Sequence, residues 1–432
     1  MAAGGKGEEL WEKAQRYLAG GVFHHATLGR LPEGLNIVVA RGQGSRFWDV
    51  EGREYIDYVM GSGPLILGHA HPEVVAAVQD QVANGSQYYS LSEPLLELSE
   101  TVVEAVPCAQ RIKYAGTGNE STLFALRLAR AFNGRSKILK LEGAYHGTHD
   151  YVVWAGRHKE SFQYPYGPVD STGIPDVLAK EVLIGPFNDL DTLSAIIEEN
   201  RRELAAVIVE PLQRNIPPKP GFLRGLREVT RKNNVLLIFD EVVTGFRLAW
   251  GGAQEFYGVV PDMACLGKVI GGGYPIGAIV GREEIFRSVT PEAVASGEAA
   301  MLSGTFTGNP VTAAAGAATL RVLQGPDTYR RLNEKGKRLG DGLKELSQML
   351  ELPAYVCQEG SVVDMLFTDE EVSQYRDTWS ADAELGYRFK TGLMRRGIWA
   401  PPGPKMYVSL AHSDEDIDRT LETAEEVMRE LR

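Results

Sequence analysis

Val235-Leu-Leu-Ile-Phe239 runs straight into Asp240-Glu241, with no polar residue among the first five to mark a solvent face. A strand that is apolar on both sides needs cover on both sides, the situation of a parallel strand between two layers of helices. Similar short apolar runs stand at 111–115, 137–141, 205–209, 263–266 and 276–280. From about residue 71 onward they alternate with helical patterns, which predicts an α/β domain on a mostly parallel sheet with right-handed crossovers. Ligands of such sheets bind beyond the carboxyl ends of the strands. Asp240 and Glu241 therefore lie where chemistry is expected.

Outward from this region the rhythm changes at both ends. Residues 8–19 read as a short amphipathic helix, and 37–40, 46–49 and 55–58, with turn residues between them, predict a small antiparallel meander. The last hundred or so residues carry a helix over 327–350, further strand-like pieces and a closing acidic helix from Asp414. The divisions expected are 1–70, 71–325 and 326–432. A chain of 432 residues, 44% hydrophobic, can bury a sizeable core without disulfides or metal. A net charge of −12 with no basic block argues against a nucleic-acid partner. The apolar runs stop far short of the ~20 residues of a membrane helix, and MAAGGKGEELWEKAQ lacks the apolar centre of a signal peptide. Cys108, Cys265 and Cys357 are scattered with no CxxC pair, which fits a reducing, cytoplasmic setting and speaks against a thiolate metal site.

Three strand ends carry chemistry. After 111–115 come Gly116-Thr117-Gly118-Asn119, leading into a helix over 120–132. Free N–H groups and the positive dipole end at such a helix start can hold a phosphate, although an ordinary helix cap has the same composition. After 235–239 comes Asp240, a carboxylate that needs a cationic or hydrogen-bonding partner wherever it is buried. After 263–266 come Gly267-Lys268 and more glycines; apolar surroundings lower a lysine's pKa and leave a nucleophilic amine. Taken singly, these read as a cap, an ion pair and a surface lysine. Together they match pyridoxal 5′-phosphate, whose phosphate, ring nitrogen and aldehyde want a helix start, a carboxylate and a lysine. Beside the histidines His24-His25, His69 with His71, and His146 with His149 no carboxylate completes a plausible set of metal ligands, so no metal site is expected.

Phe239-Asp-Glu-Val-Val-Thr-Gly-Phe-Arg247, then Gly267-Lys268 with GGGYPIGA (271–278), resembles the signature of class III aminotransferases. GHAHPEV (68–74), EGAYHG (142–147), GGAQEFYGVVPD (251–262), SGTFTGNP (303–310) and SLAHSDEDI (409–417) are similar to the glutamate-1-semialdehyde aminomutase branch of that class. The resemblance implies a fold-type I pyridoxal-phosphate enzyme, its large mostly parallel-sheet domain joined by a smaller α+β domain made from both chain ends. It implies that Lys268 carries the cofactor and shuttles the proton, that Asp240 pairs with the ring nitrogen, and that Val242 and Tyr145 bracket the ring. Thr117, Gly118 and Asn119 stand where the family writes Ser-Gly-Thr at the phosphate. Asn215 matches a position near the ring hydroxyl. Thr305 matches one that reaches the neighbouring subunit's phosphate, which implies a homodimer with shared sites.

Departures from the aminomutase pattern shape the expected reaction. Ser62 replaces a tryptophan. The family's Asn-Ser-Pro-Val-Arg becomes Phe23-His-His-Ala-Thr27, leaving Arg30 as the nearest arginine, and a family glutamate falls on Pro404. The segment after Tyr145-His146-Gly147 is strongly aromatic, with Trp154, Phe162, Tyr164 and Tyr166. These features predict a stand-alone, ping-pong aminotransferase that moves an amino group from a primary amine, ω-amino or β-amino donor to a keto acid or aldehyde. Arg30, Ser62, Tyr88, Tyr89 and Trp154 are its expected substrate residues. The alternative is the glutamate-1-semialdehyde 2,1-aminomutase reaction, an isomerisation.

Overall fold

The computed structural model describes residues 5–21, 35–403 and 405–432, so Arg30, Pro404 and positions 23–27 lie outside the described residues. The chain divides into two compact units. The larger comprises Glu73–Tyr329 and Val372–Trp379; the smaller gathers the described residues of the first 72 positions with Arg330–Glu371 and Ser380–Arg432.

The larger unit is built on seven strands: β4 (Arg111–Ala115), β5 (Lys137–Leu141), β6 (Val182–Gly185), β7 (Leu204–Val209), β8 (Leu236–Asp240), β9 (Met263–Gly267) and β10 (Gly277–Gly281). Their order is β4-β10-β9-β8-β7-β5-β6. The five strands from β9 to β6 are parallel, and every residue of β7, β8 and β9 is buried. Ile208, Ile238 and Cys265 pack with Phe124, Leu126 and Leu128 of the Gly118–Asn133 helix; each large side chain so buried contributes roughly 1.5–3 kcal/mol. Two features were not expected. β6 is a four-residue strand, too short to stand out from the loop before it. β10 runs antiparallel to both of its neighbours, because the short turn from Lys268 leaves no room for a helical crossover.

In the smaller unit β1 (Val39–Gln43), β2 (Arg46–Asp49) and β3 (Glu54–Asp57) form the antiparallel meander. A strand from far along the chain, β13 (Ile398–Trp399), completes it by pairing parallel to β3. A second sheet joins β11 (Tyr355–Glu359), β12 (Val362–Leu366) and β14 (Met406–Tyr407) in that order. The closing Asp414–Leu431 helix starts with a capping box between Ser413 and Asp416. Asp416 also accepts from Ser45 Oγ at 2.7 Å and Arg46 Nη2 at 2.6 Å, so both chain ends meet in one fold. Val372–Trp379, expected with this unit from its place in the chain, belongs instead to the larger one. Among the described residues no helix is long and apolar enough to cross a membrane.

Candidate active site

The carboxyl ends of β4, β8 and β9 converge on one spot in the larger unit. A Cβ placed on Gly118 would lie 2.8 Å from Val242 Cγ1, and one on Gly267 would lie 3.2 Å from the same atom. The loop before the Gly118–Asn133 helix, the residue two past Asp240 and the residue before Lys268 are thus in direct contact. Only glycine permits that approach at position 118.

Thr117 is the N-cap of this helix, its hydroxyl accepting from Glu120 N–H at 3.2 Å. The helix-cap role left open by the sequence is therefore real. It leaves the amides of Gly118 and Asn119 in the first turn, where no helical carbonyl can reach them. Asn119 Oδ1 accepts from Thr148 N–H at 2.6 Å, which fixes the Tyr145–His146–Gly147 loop beside the helix start.

Asp240 is buried at the end of β8 and has two partners: His146 Nδ1 at 2.8 Å and the amide of Val242 at 3.1 Å. His146 is fully buried, and its carbonyl accepts from the Thr122 hydroxyl. Sequence reasoning missed this pair, because His146 and Asp240 are 94 residues apart and meet only in the fold. Tyr145 next to it is half exposed and anchored through its amide to Glu210 Oε2 at 2.9 Å.

Lys268 is partly buried and opens the turn after β9 with φ +48, a left-handed conformation that costs a non-glycine residue about 1–2 kcal/mol. Such strain concentrates at functional positions. Arg214, beyond β7, shows the same feature with φ +56. It sits in a two-residue turn closed by Gln213 N–H to the Ile216 carbonyl at 3.1 Å and the reverse bond at 2.8 Å, with Asn215 beside it. The Arg214 guanidinium carbon lies 5.5 Å from the Tyr145 ring centre. Sequence reasoning missed Arg214 because its signal, a non-glycine residue at a positive φ, exists only in the backbone.

It also missed Glu142. This buried carboxylate receives His158 Nε2 at 2.8 Å, Arg376 Nε at 2.9 and 3.0 Å, and the Tyr164 hydroxyl. Arg376 in turn stacks within 5.0 Å of the Phe162 ring centre and 4.9 Å of that of Tyr164. One residue thus ties the aromatic segment and Val372–Trp379 to the start of the Tyr145 loop. Removing one partner of a buried ion pair strands the others. Glu142→Ala is expected to lower stability by about 3 kcal/mol in denaturant unfolding; an unchanged midpoint and slope would contradict this anchoring role.

The expected substrate residues fall differently. Trp154 is buried in the main hydrophobic cluster, with its indole N–H donated to the Asp150 carbonyl at 2.7 Å, so the expectation that it faces substrate is corrected: it is a core residue, drawn in by its apolar area. Ser62 is exposed in a turn of the smaller unit with φ +71. Tyr88 donates its hydroxyl to the Asn84 carbonyl at 2.6 Å, and Tyr89 is almost fully exposed. Neither bond nor exposure joins them to the Lys268 turn. Thr305 is exposed, and its carbonyl accepts from Gln87 Nε2, while Asn309 Nδ2 donates to the Ser86 carbonyl at 2.8 Å. Thr305 and the Tyr88–Tyr89 loop are therefore brought together.

The family model for class-III aminotransferases matches residues 31–428. The chain belongs to that family. Among its class III relatives, the glutamate-1-semialdehyde 2,1-aminomutase of Methanothermobacter thermautotrophicus is 43% identical over 432 residues, covering 99% of this chain and 100% of the relative. In structure, an omega-transaminase from Sphaerobacter thermophilus matches with a TM-score of 0.93 at 32% identity, covering 100% of this chain and 99% of that one. A glutamate-1-semialdehyde aminomutase from Pseudomonas aeruginosa, solved in complex with PMP, matches with a TM-score of 0.87 at 26% identity, covering 99% and 94%. The fold is that of fold-type I pyridoxal-phosphate enzymes, and the cofactor of this class III chain is pyridoxal 5′-phosphate. These sequence relatives carry the aminomutase name.

The site residues fit that cofactor. A close-packed helix start offers two amides to an anion, a buried carboxylate is held ready for a cation, and a lysine stands one residue beyond the point where those strand ends touch.

Proposed function

We propose that this chain catalyses amino-group transfer on a primary-amine substrate with pyridoxal phosphate, and that rearrangement of glutamate-1-semialdehyde is the better supported of the two reactions. The observation that carries this reading is the convergence of Gly118, Asp240-Val242 and Gly267-Lys268; the aminomutase name of relatives 41–43% identical over nearly the whole chain supports the choice of reaction. When bound, pyridoxal phosphate supplies a carbonyl carbon to take the amino group and a ring that draws electrons from the substrate's α-carbon. The Gly118 and Asn119 amides would hold the phosphate, with Thr117 ordering them. Asp240, steadied by His146, would keep a proton on the ring nitrogen. Tyr145 and Val242 would bracket the ring, with Asn215 near its hydroxyl. Lys268 Nζ would take up and return the proton at the substrate's α-carbon.

A second reading, transfer to a separate keto acid or aldehyde, is favoured by Ser62 in place of a tryptophan and by the likeness to an omega-transaminase. Incubating the holoenzyme with the semialdehyde alone separates the two. Conversion to an isomer without a second substrate is the expected result; turnover only when an amine and a separate acceptor are both supplied would replace the first reading by the second.

We further infer a cytoplasmic homodimer. Cys108, Cys265 and Cys357 are free buried thiols, in keeping with a reducing compartment. Tyr89, Leu91, Met301 and Phe306 are large apolar side chains left exposed on and beside two loops that hydrogen-bond to each other, a surface suited to a second copy. Thr305 on it is proposed to reach the partner's phosphate. Thr305→Ala is expected to weaken cofactor retention about tenfold in equilibrium dialysis, with the dimer intact by light scattering. Unchanged retention would remove Thr305 from the site.

A further inference from the structure

We propose that Lys140 is a positioning residue for Tyr145, its buried ammonium holding in place the loop that presents the Tyr145 ring. The inference rests on the reading in which that ring brackets the cofactor, and it holds for either reaction. Lys140 is fully buried in β5, paired with Ile208 of β7 on one side and Ile184 of β6 on the other. A methionine would fill this place without burying a charge. A charge retained against that desolvation cost has a use.

The surroundings of the ammonium give that use. Nζ donates to the Trp154 carbonyl at 2.5 Å. The next residue, Ala155, accepts from Gly143 N–H at 2.7 Å, two places before Tyr145. Burial pushes the ammonium's pKa down to about 8, while Asp170, Glu210 and Glu142, in that order, pull it back up. Each of these carboxylates grips the same loop at a different point. Asp170 accepts from the amides of Gly156 at 2.6 Å and Arg157 at 3.0 Å. Glu210 accepts from the amide of Tyr145 itself at 2.9 Å. Glu142 accepts from His158, Tyr164 and Arg376. Lys140 offsets the repulsion among the three, and without its charge that repulsion works against the loop they hold.

The test measures amide hydrogen exchange of the full chain, with and without pyridoxal phosphate. It compares the wild type with Lys140→Met and with Lys140→Gln, which keeps an N–H donor without the charge. At neutral pH the amides of 143–157 are expected to exchange about tenfold faster in both variants, while those of β7 and β8 keep their wild-type protection. Cofactor affinity should fall about tenfold in Lys140→Met. The double variant with Tyr145→Ala should bind no more weakly than Tyr145→Ala alone, as expected of two residues acting through one contact. The wild type supplies a further check that decides alone if the variants fail to fold. Corrected for the base-catalysed rate, its exchange over 143–157 should rise about tenfold between neutrality and pH ~9.5, as the ammonium loses its proton. Burial lifts the nearby Tyr164 and Tyr375 hydroxyls above their ordinary range, so they do not mimic this step. Unchanged exchange over 143–157 would overturn the proposal. So would protection lost evenly through the sheet, which marks a purely structural lysine, or cofactor losses that add in the double variant. Failure of the cofactor reading is seen separately, as a wild type that takes up no pyridoxal phosphate, and it leaves the exchange comparison readable.

Discussion

Replacing Lys268 with alanine is expected to lower the rate of amino transfer by at least about 10⁴-fold, the scale of losing a nucleophile that also moves the proton. Its neighbours in the chain cannot substitute: they are Gly267, Val269 and Ile270, the last two fully buried and apolar. Arginine should not rescue, since a guanidinium stays protonated and cannot act as the nucleophilic amine. Stability should change little, because alanine meets the same backbone strain at φ +48. The comparison of single-turnover rates with thermal unfolding distinguishes chemistry from folding. A Lys268→Ala protein within tenfold of wild type would remove the lysine from its proposed role.

Asp240→Ala is expected to cost about 10³-fold in turnover, comparable to the loss of a preorganised electrostatic partner in other enzymes. It should also destabilise the fold by about 1–3 kcal/mol, because His146 Nδ1 is left buried without an acceptor. Asp240→Asn keeps a group that can accept from His146 but not the charge, so it should recover stability and not rate. His146→Ala acts through Asp240, which retains its bond from the Val242 amide; a loss of about tenfold in rate is expected. It should be accompanied by a shifted pH profile of the cofactor's absorbance, a signature that loss of packing alone would not produce. Equal rates for Asp240→Asn and wild type would show that the charge on this carboxylate is not used.

Much of this was legible in the chain. Runs such as Leu236–Asp240 and Leu204–Val209 are apolar on both faces because helices cover both, and the sequence carries that directly. The strand-end rule then located Thr117, Asp240 and Lys268 without coordinates. β10 was legible as a strand but not in its direction, which depends on turn length. Trp154 misled because aromatic residues suit a pocket and a core equally well, and only burial decides. His146 and Glu142 were invisible for another reason. Each acts through a partner distant in sequence, 94 residues for His146 and Asp240 and 234 for Glu142 and Arg376, and no local pattern encodes such a pairing.

The central claim is that the amine of Lys268 holds pyridoxal phosphate. Reducing the holoenzyme with borohydride, digesting it and sequencing the labelled peptide by mass spectrometry tests this at the level of a single atom. The expected result is one pyridoxyl adduct per chain, on the peptide containing Gly267-Lys268-Val269. An adduct on another lysine, or a protein that takes up no cofactor to be trapped, would contradict the account.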